Sequence, residues 1–514
     1  MQTNIGLLVT KRAQLNPNRE AYVQPDSGLR LTYLELNKRV NQTANYLVSI
    51  GVKKGDRVAI LKMNSIEFVA AFFAIAKIGG IVVPLNWRLV GNELEFILKD
   101  SGATVLLFGS EFAELVTDLH ERGDQTDIKH WLYSGDAGAR PDFASQYEPL
   151  VLKQSVSEPE IAAADDDELY IMYTSGTTGL PKGVVHTHNS AMWASITGTA
   201  TISFREDDRY LLSLPLFHVG ALNPLTNAVY TGITCVVMRS FDPVRTWELI
   251  QDEKITTLLA VPAMLNFMLQ ALEQGKYDYS TVRWCMSGAS PVPKTMIETY
   301  DKLGIGILQV YGLTETCGPA CLIGAEDSIV KAGSTGKAFF HTSVRIVDEN
   351  MKDVGPNEPG EVLVAGKHIM KEYWNRPDAT AETLVDGWLR TGDMAEMDED
   401  GFIYIRDRLK DMIISGGENI YPAELENVLL AHEKIRDVAV IGQPSDKWGE
   451  SPFVIAVTSD PDLSEADVLA YCKGKMAAYK LPKGAAFVDE IPRNPTGKVL
   501  KRVLREQFPG PAKD

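Results

Sequence analysis

Between Tyr173 and His188 the chain reads YTSGTTGLPKGVVHTH. Thr174, Ser175, Thr177 and Thr178 alternate with Gly176 and Gly179, and Lys182 follows Pro181. Hydroxyls donate to anionic oxygens, glycines let backbone N–H groups close around them, and a lysine supplies charge. Together these types bind phosphate. A Walker loop needs Gly-Lys-Ser/Thr running into a helix. Here Lys182 leads into Gly183, Val184 and Val185, a β-branched run that reads as a strand. The segment is predicted to be a loop between two strands, which disfavours a P-loop NTPase.

Other segments carry residues of comparable use. Glu315 lies in YGLTET, where a carboxylate is either a solvated turn glutamate or a ligand for a hard cation. Asp393 ends RTGD, where it can accept from two sugar hydroxyls or close an Asx turn. Lys498 follows two prolines, an asparagine and Gly497, so one ammonium is carried on a loose arm. The cysteines (235, 285, 317, 321 and 472) show no CxxC spacing and no histidine cluster. That argues against zinc and for a reducing compartment.

In order along the chain, YTSGTTGLPKG, YGLTET, RTGD, DRLKDMIISGGENIYPAELE and PRNPTGKVLK resemble the signature segments of the adenylate-forming enzymes. That family comprises acyl-CoA synthetases, peptide-synthetase adenylation domains and luciferases. The resemblance covers essentially the whole chain and is strongest to fatty-acyl-CoA synthetases of the mycobacterial, single-enzyme type. It implies an ATP-dependent acid–CoA ligase working through an acyl-adenylate, with AMP and pyrophosphate released. Thr174, Ser175, Gly176, Thr177, Thr178, Gly179 and Lys182 would hold the ATP phosphates, and Glu315 with Thr174 would hold Mg²⁺. Ser287, Gly288 and Ala289 would border adenine and Tyr311 would stack on it, with Gly312 and Thr314 also binding the nucleotide; Asp393 would hold the ribose, and Arg408 would hold the nucleotide too. Lys498 would serve adenylation. Lys410 would be the hinge of a swinging C-terminal domain, which then presents Ser415, Gly416 and Gly417 to the thiol of CoA.

The chemistry is coherent without the name. A carboxylate resists attack, but joined to AMP it becomes a mixed anhydride that a thiol can open. The first step needs charge neutralised on phosphate. Amino-acid-activating relatives place an aspartate near LPLFHVGAL; here that stretch has none. His218 resembles the family's gating residue, or is a packed core histidine. Val219, Trp193, Pro262, Ala263, Met264 and Leu265 are the expected liners of an apolar acyl pocket. The expected substrate is a medium- or long-chain fatty acid, with an aryl or phenylpropenoic acid as the alternative. No carrier domain follows the Lys498 motif, so CoA is the expected acceptor. Readings from other classes are a luciferase-like oxygenase and a non-catalytic nucleotide-binding protein.

The elements that must position these groups alternate. Capping-box spacing at Thr32 and Glu35 opens a helix that Gly51 closes. DRVAIL, a helix at 66–77, IVVPL, NELEFILKD and ATVLLF follow, implying a parallel sheet with helices on its faces. Residues 207–321 repeat that style and predict a second doubly wound sheet. Residues 333–405 read as a small β-barrel. A small, mobile α+β domain is expected after the hinge, so the predicted domains are 1–408 and 409–514. With 514 residues and a net charge of −17, the chain is long enough for several cores and too acidic for nucleic acid as its main partner. The most apolar stretch, FVAAFFAIAKIGGIVVPL, is broken by Lys77, Gly79 and Gly80 and reads as helix, turn and strand rather than a membrane span. The cytoplasm is the expected location, with loose membrane association and a homodimer left open.

Overall fold

The computed structural model describes residues 3–174, 181–273, 275–289, 292–408, 411–415, 418–445, 449–473, 475–476, 480–493 and 499–510. At 407, 408, 418 and 419 it describes only the backbone.

Two mixed sheets dominate. The first has eight strands, in the order Glu372–Tyr373, Lys182–Thr187, Glu168–Thr174, Ile81–Pro84, Arg57–Leu61, Ala103–Gly109, His130–Ser134, Ser145–Gln146. The second has nine: Lys337–Ala338, Cys321–Ile323, Gly306–Tyr311, Trp284–Gly288, Thr257–Leu259, Arg209–Leu212, Thr234–Val237, Glu20–Gln24, Leu29–Thr32. From Gly306–Tyr311 to Glu20–Gln24 the second sheet is parallel throughout. Its last two strands come from the N-terminus, far in sequence from the 207–321 stretch expected to build it. They join because Tyr22 and Val23 pair with Cys235 and Val236.

The apolar stretch forms the helix Ile66–Lys77, a turn at Gly79 (φ +76°) and the strand Ile81–Pro84. Every residue of that helix except Glu67 is buried. Buried Lys77 donates to Asn37 Oδ1 (2.9 Å), Asn41 Oδ1 (2.7 Å) and Glu158 Oε2 (2.7 Å), which offsets the cost of desolvating an ammonium. No described helix is long and apolar enough to cross a membrane.

The third sheet occupies the region expected to be a barrel and is a five-stranded antiparallel half-barrel. Its order is Ser343–Val347, Gly360–Ala365, Trp388–Met397, Leu384–Val385, with Ile403–Arg408 also pairing Trp388–Met397. The fourth centres on the hairpin Ile435–Ser445 and Gly449–Thr458, with helices Pro422–Leu430 and Glu465–Cys472 and their own apolar cluster. The predicted cap forms: Thr32 with Glu35 is a capping box, as is Ser464 with Asp467.

Candidate active site

The phosphate loop is held at both ends by an antiparallel ladder. Strands Glu168–Thr174 and Lys182–Thr187 pair up to the facing residues Thr174 and Lys182. Thr174 Oγ1 donates to the Lys182 carbonyl (3.4 Å). The expected strand–loop–strand is therefore present, while Ser175, Gly176, Thr177, Thr178 and Gly179 lie outside the described residues. The Lys182 ammonium stands 4.9 Å over the ring of Tyr373, whose hydroxyl donates to Glu315 Oε1 (2.7 Å). Tyr373 arrives there because Glu372–Tyr373 pairs with Val185 and Val184. A lysine of the first sheet and a carboxylate of the second are thus joined through one phenol.

Three consecutive carbonyls fix Glu315. The Glu315 carbonyl accepts from Met370 N (2.8 Å), the Thr314 carbonyl meets His186 Nε2 (2.7 Å), and the Thr316 carbonyl meets His368 Nδ1 (3.0 Å). Both histidines are fully buried, and burial pushes each down to about 4. Each is therefore neutral at pH 7, and because a carbonyl only accepts, the facing ring nitrogen carries the hydrogen. The other nitrogens meet Ser190 Oγ (3.0 Å) and Thr342 Oγ1 (2.7 Å). Gly312 closes the same segment: a Cβ there would fall 1.4 Å from the Gly318 carbonyl oxygen.

The other expected nucleotide residues gather where the parallel strands of the second sheet end. Gly288 pairs with Val310, and a Cβ on Gly288 would fall 2.5 Å from the Val310 carbonyl oxygen. Ala289 has φ +70°, a left-handed conformation that costs a residue with a Cβ about 1–2 kcal/mol. Tyr311 donates to Asp393 Oδ2 (2.6 Å). Burial, and the Asp393 charge beside it, hold the Tyr311 hydroxyl well above the usual phenol range. Asp393 is the register partner of Arg408. Ser287 is fully buried in the sheet, and none of Ser287, Tyr311 and Asp393 lines the cavity; Tyr311 packs toward the core of the third sheet.

The RTGD segment, expected as a tight turn, is an interruption within the strand Trp388–Met397. Gly392 has φ +67°, and the pairing jumps from Leu363–Arg390 to Glu361–Met394. The strand resumes because Glu361 supports the kink, accepting from Gly392 N (3.2 Å) and Arg390 Nη2 (2.6 Å).

One cavity of about 2140 Å³ is lined by Thr174, Lys182, Glu315, Gly288 and Gly312, and also by His218 and Val219. His218 caps the helix Val219–Thr231 and packs its ring against Phe217 at 5.5 Å. Burial, and secondarily Arg88, push it down to about 4. Several expected pocket liners need correction. Trp193 packs on His341 (5.4 Å) and under Lys367 (4.6 Å), away from the cavity. Pro262 and Ala263 form the first turn of the helix Pro262–Ala271 and do not line it either. Leu265 points to the opposite side, into the core under the second sheet. Of that helix only Met264 reaches the cavity. Of the Val219–Thr231 helix, sequence reading named Val219, which lines the cavity, but missed Asn223 and Asn227, and it missed Trp284 and Met286 on the strand Trp284–Gly288. It also passed over His186 and Tyr373; a lone histidine in the β-branched strand after the loop was the available signal.

Lys498 lies outside the described residues, as do Lys410, Gly416 and Gly417. The segment around Lys498 is bracketed by a bridge between Arg493 and Val499, both lining the cavity. Arg505 Nη2 donates to Asp411 Oδ1 (2.9 Å), next to the expected hinge. Ser415 pairs with Glu418 and Gly449 and does not line the cavity. No group of three or more His, Cys, Asp or Glu among the described residues could hold a metal. A carboxylate at Glu315 and a hydroxyl at Thr174 lining one cavity fit Mg²⁺ arriving with a nucleotide, since that ion keeps waters and phosphate oxygens as its other ligands.

Residues 9–374 match the AMP-binding enzyme model, and residues 424–498 match the AMP-binding enzyme C-terminal domain. The chain belongs to the AMP-binding enzyme family. It is 42% identical to the long-chain-fatty-acid–CoA ligase FadD13 of Mycobacterium tuberculosis, over 98% of each chain. It is 37% identical to a feruloyl-CoA synthase of Amycolatopsis, over 98% of this chain and 99% of that protein. Among solved structures, it resembles the O-succinylbenzoate coenzyme A synthetase (MenE) of Bacillus subtilis in complex with ATP and magnesium ion. That match has 33% identity and a TM-score of 0.86, over 97% and 99% of the two chains. As a member of this AMP-binding family, the protein is an AMP-forming acid–CoA ligase that uses Mg²⁺-ATP and CoA.

Proposed function

We propose that this ligase activates a medium- or long-chain fatty acid. The observation that carries the reading is the continuity of one cavity, from Thr174, Lys182 and Glu315 to a wall of Val219, Met264, Met286 and Trp284. Similarity to a long-chain-fatty-acid–CoA ligase supports it. A phenylpropenoic acid is the second reading, favoured by the similarity to a feruloyl-CoA synthase.

A carboxylate oxygen bonds to the α-phosphorus as the bond to the pyrophosphate oxygen breaks. The CoA thiol then gives its proton to solvent as its sulfur bonds to the acyl carbon, and AMP leaves with the electron pair of the acyl carbon–oxygen bond. In the first step Lys182 and the loop hydroxyls of 174–178 would offset phosphate charge. Glu315 with Thr174 would hold Mg²⁺, which would supply further neutralisation of the phosphates. Tyr311 would stack on the base, and Asp393 with Arg408 would accept from and donate to the ribose. Lys498 would bridge the carboxylate and the α-phosphate. The cavity-lining positions of Arg493 and Val499, either side of the Lys498 segment, support an adenylation-ready arrangement. Residues 1–408 and 409–514 would be the two bodies, turning about Lys410 so that Ser415, Gly416 and Gly417 replace Lys498 for thiol transfer.

The test is acid-dependent exchange of pyrophosphate into ATP, followed by thioester formation on adding CoA. Exchange with decanoate or cinnamate but not with amino acids is expected. Exchange driven only by amino acids would overturn the reading of the acid.

A further inference from the structure

The cavity continues far past the nucleotide residues, and its far end is not uniformly apolar. On the strand Trp284–Gly288 the alternate residues Trp284, Met286 and Gly288 line it, so it runs down one face of the second sheet. From Gly288 to Trp284 is about 13 Å at ~3.3 Å per residue. The helix Val219–Thr231 gives a second ruler. Val219, Asn223 and Asn227 line the cavity at i, i+4 and i+8, which spans about 12 Å at ~1.5 Å per residue.

Two buried polar side chains stand at the far end. Tyr210 pairs with Thr257, and Thr257 with Trp284, so Tyr210 and Trp284 share one level of the sheet. Asn227 reaches the same end. Its neighbour Ala228 accepts from Ile233 N (3.1 Å), and Thr234 pairs with Arg209 beside Tyr210. Tyr210 is 5% exposed and Asn227 3% exposed. The Tyr210 hydroxyl makes no hydrogen bond with any described residue, although the side chain lines the cavity. Asn227 Oδ1 accepts from Thr199 Oγ1 (3.2 Å), while its Nδ2 has no acceptor among the described residues. Gly198 keeps that amide clear: a Cβ there would fall 2.7 Å from Asn227 Nδ2. A plain alkyl end seated here would displace water from two donors and give them nothing to bond, and buried unpaired donors are costly.

Resting on the acid–CoA ligase reading, we propose that the acid carries a hydrogen-bonding oxygen at its distal end, held by Tyr210 and Asn227. At about 1.25 Å per methylene for extended ~1.5 Å C–C bonds, the depth corresponds to some ten carbons. The oxygen is a hydroxyl, ether or carbonyl on an apolar chain, or the ring oxygen of a shorter phenylpropenoic acid. The experiment compares kcat/KM for thioester formation within two matched pairs: 10-hydroxydecanoate against decanoate, and 4-hydroxycinnamate against cinnamate. The wild-type enzyme is expected to favour the oxygenated member of one pair by about tenfold, and which pair it is identifies the source of the oxygen. Tyr210→Phe and Asn227→Leu should each lower that ratio about tenfold, losing rate on the oxygenated acid and gaining on its plain partner. Preference for the plain acid in both pairs, or variants that leave the ratios where they were, would overturn the proposal. AMP and pyrophosphate formed without thioester from any of the four acids would break the ligase reading itself, and this proposal with it.

Discussion

The nucleotide end of the cavity and its acyl end share the second sheet but are assembled differently. At the nucleotide end, atoms are fixed one by one. Glu315 is held by bonds to three successive carbonyls, Ala289 is held at positive φ, and Asp393 is tied to Tyr311. At the acyl end, side chains from several strands and helices and the loops between them enclose space, and few polar atoms are constrained. Placing a charge needs particular atoms at particular distances, so residue choice is narrow and short segments carry it. Enclosing a chain needs volume, which many side chains can supply.

The comparison breaks most sharply at Lys498. Lys498→Ala should cut acyl-AMP formation by two or more orders of magnitude, the scale of a lost transition-state charge, while transfer from presynthesised acyl-AMP to CoA survives. Equal loss in both half-reactions would remove the assignment. Glu315→Gln should lose most activity at limiting Mg²⁺ and regain part of it as Mg²⁺ rises, and EDTA should abolish wild-type turnover; insensitivity to the metal in either protein would count against the carboxylate's role. Gly312→Ala should lower both stability and activity steeply, because its Cβ meets a backbone oxygen rather than a movable side chain. A variant melting within a degree or two of wild type would show that the segment can open.

A smaller effect is expected behind the carboxylate. His186→Leu leaves the Thr314 carbonyl without its donor, a loss of about 1–3 kcal/mol for a buried acceptor. KM for Mg²⁺-ATP should rise more than KM for the acid, with partial rescue by His186→Gln. Equal changes in both would mean a purely structural role.

Stability should also carry a pH slope. His188 and His218 are held down to about 4 by burial, against an ordinary value near 6.5. Their folded values are depressed, so between about 6.5 and 4 the unfolded chain binds protons that the folded one does not. Stability should therefore fall on acidification through that window, by up to about 1.4 kcal/mol per unit per histidine. Denaturant titrations at pH 7, 6 and 5 test it, and a flat profile would contradict it.

The same contrast explains what the sequence made legible. The hairpin around the phosphate loop was readable because a short β-branched run, buried throughout, begins just after the lysine. The helix Ile66–Lys77 was readable because its apolar run and its terminating glycines are contiguous. The lining was not: Trp284, Met286, Asn223 and Asn227 each look like core residues, and only strand register and helix phase bring them to one space. Trp193 and Leu265 were misread because apolarity near a motif does not say which face a helix turns inward. RTGD was read as a turn because Gly-Asp favours one, and the support that keeps it within a strand comes from Glu361, some thirty residues earlier. Tyr373 reaches Glu315 through a pairing with Val184 that no local pattern announces.

The most direct test of the account is a product balance on purified enzyme with Mg²⁺-ATP, CoA and a panel of carboxylic acids. It should give AMP, pyrophosphate and acyl-CoA in equal amounts, with the best acids apolar along the chain, oxygenated at the far end and about ten carbons in reach. AMP and pyrophosphate without thioester, with oxygen consumed or light emitted, would contradict it, as would ADP and phosphate as the nucleotide products.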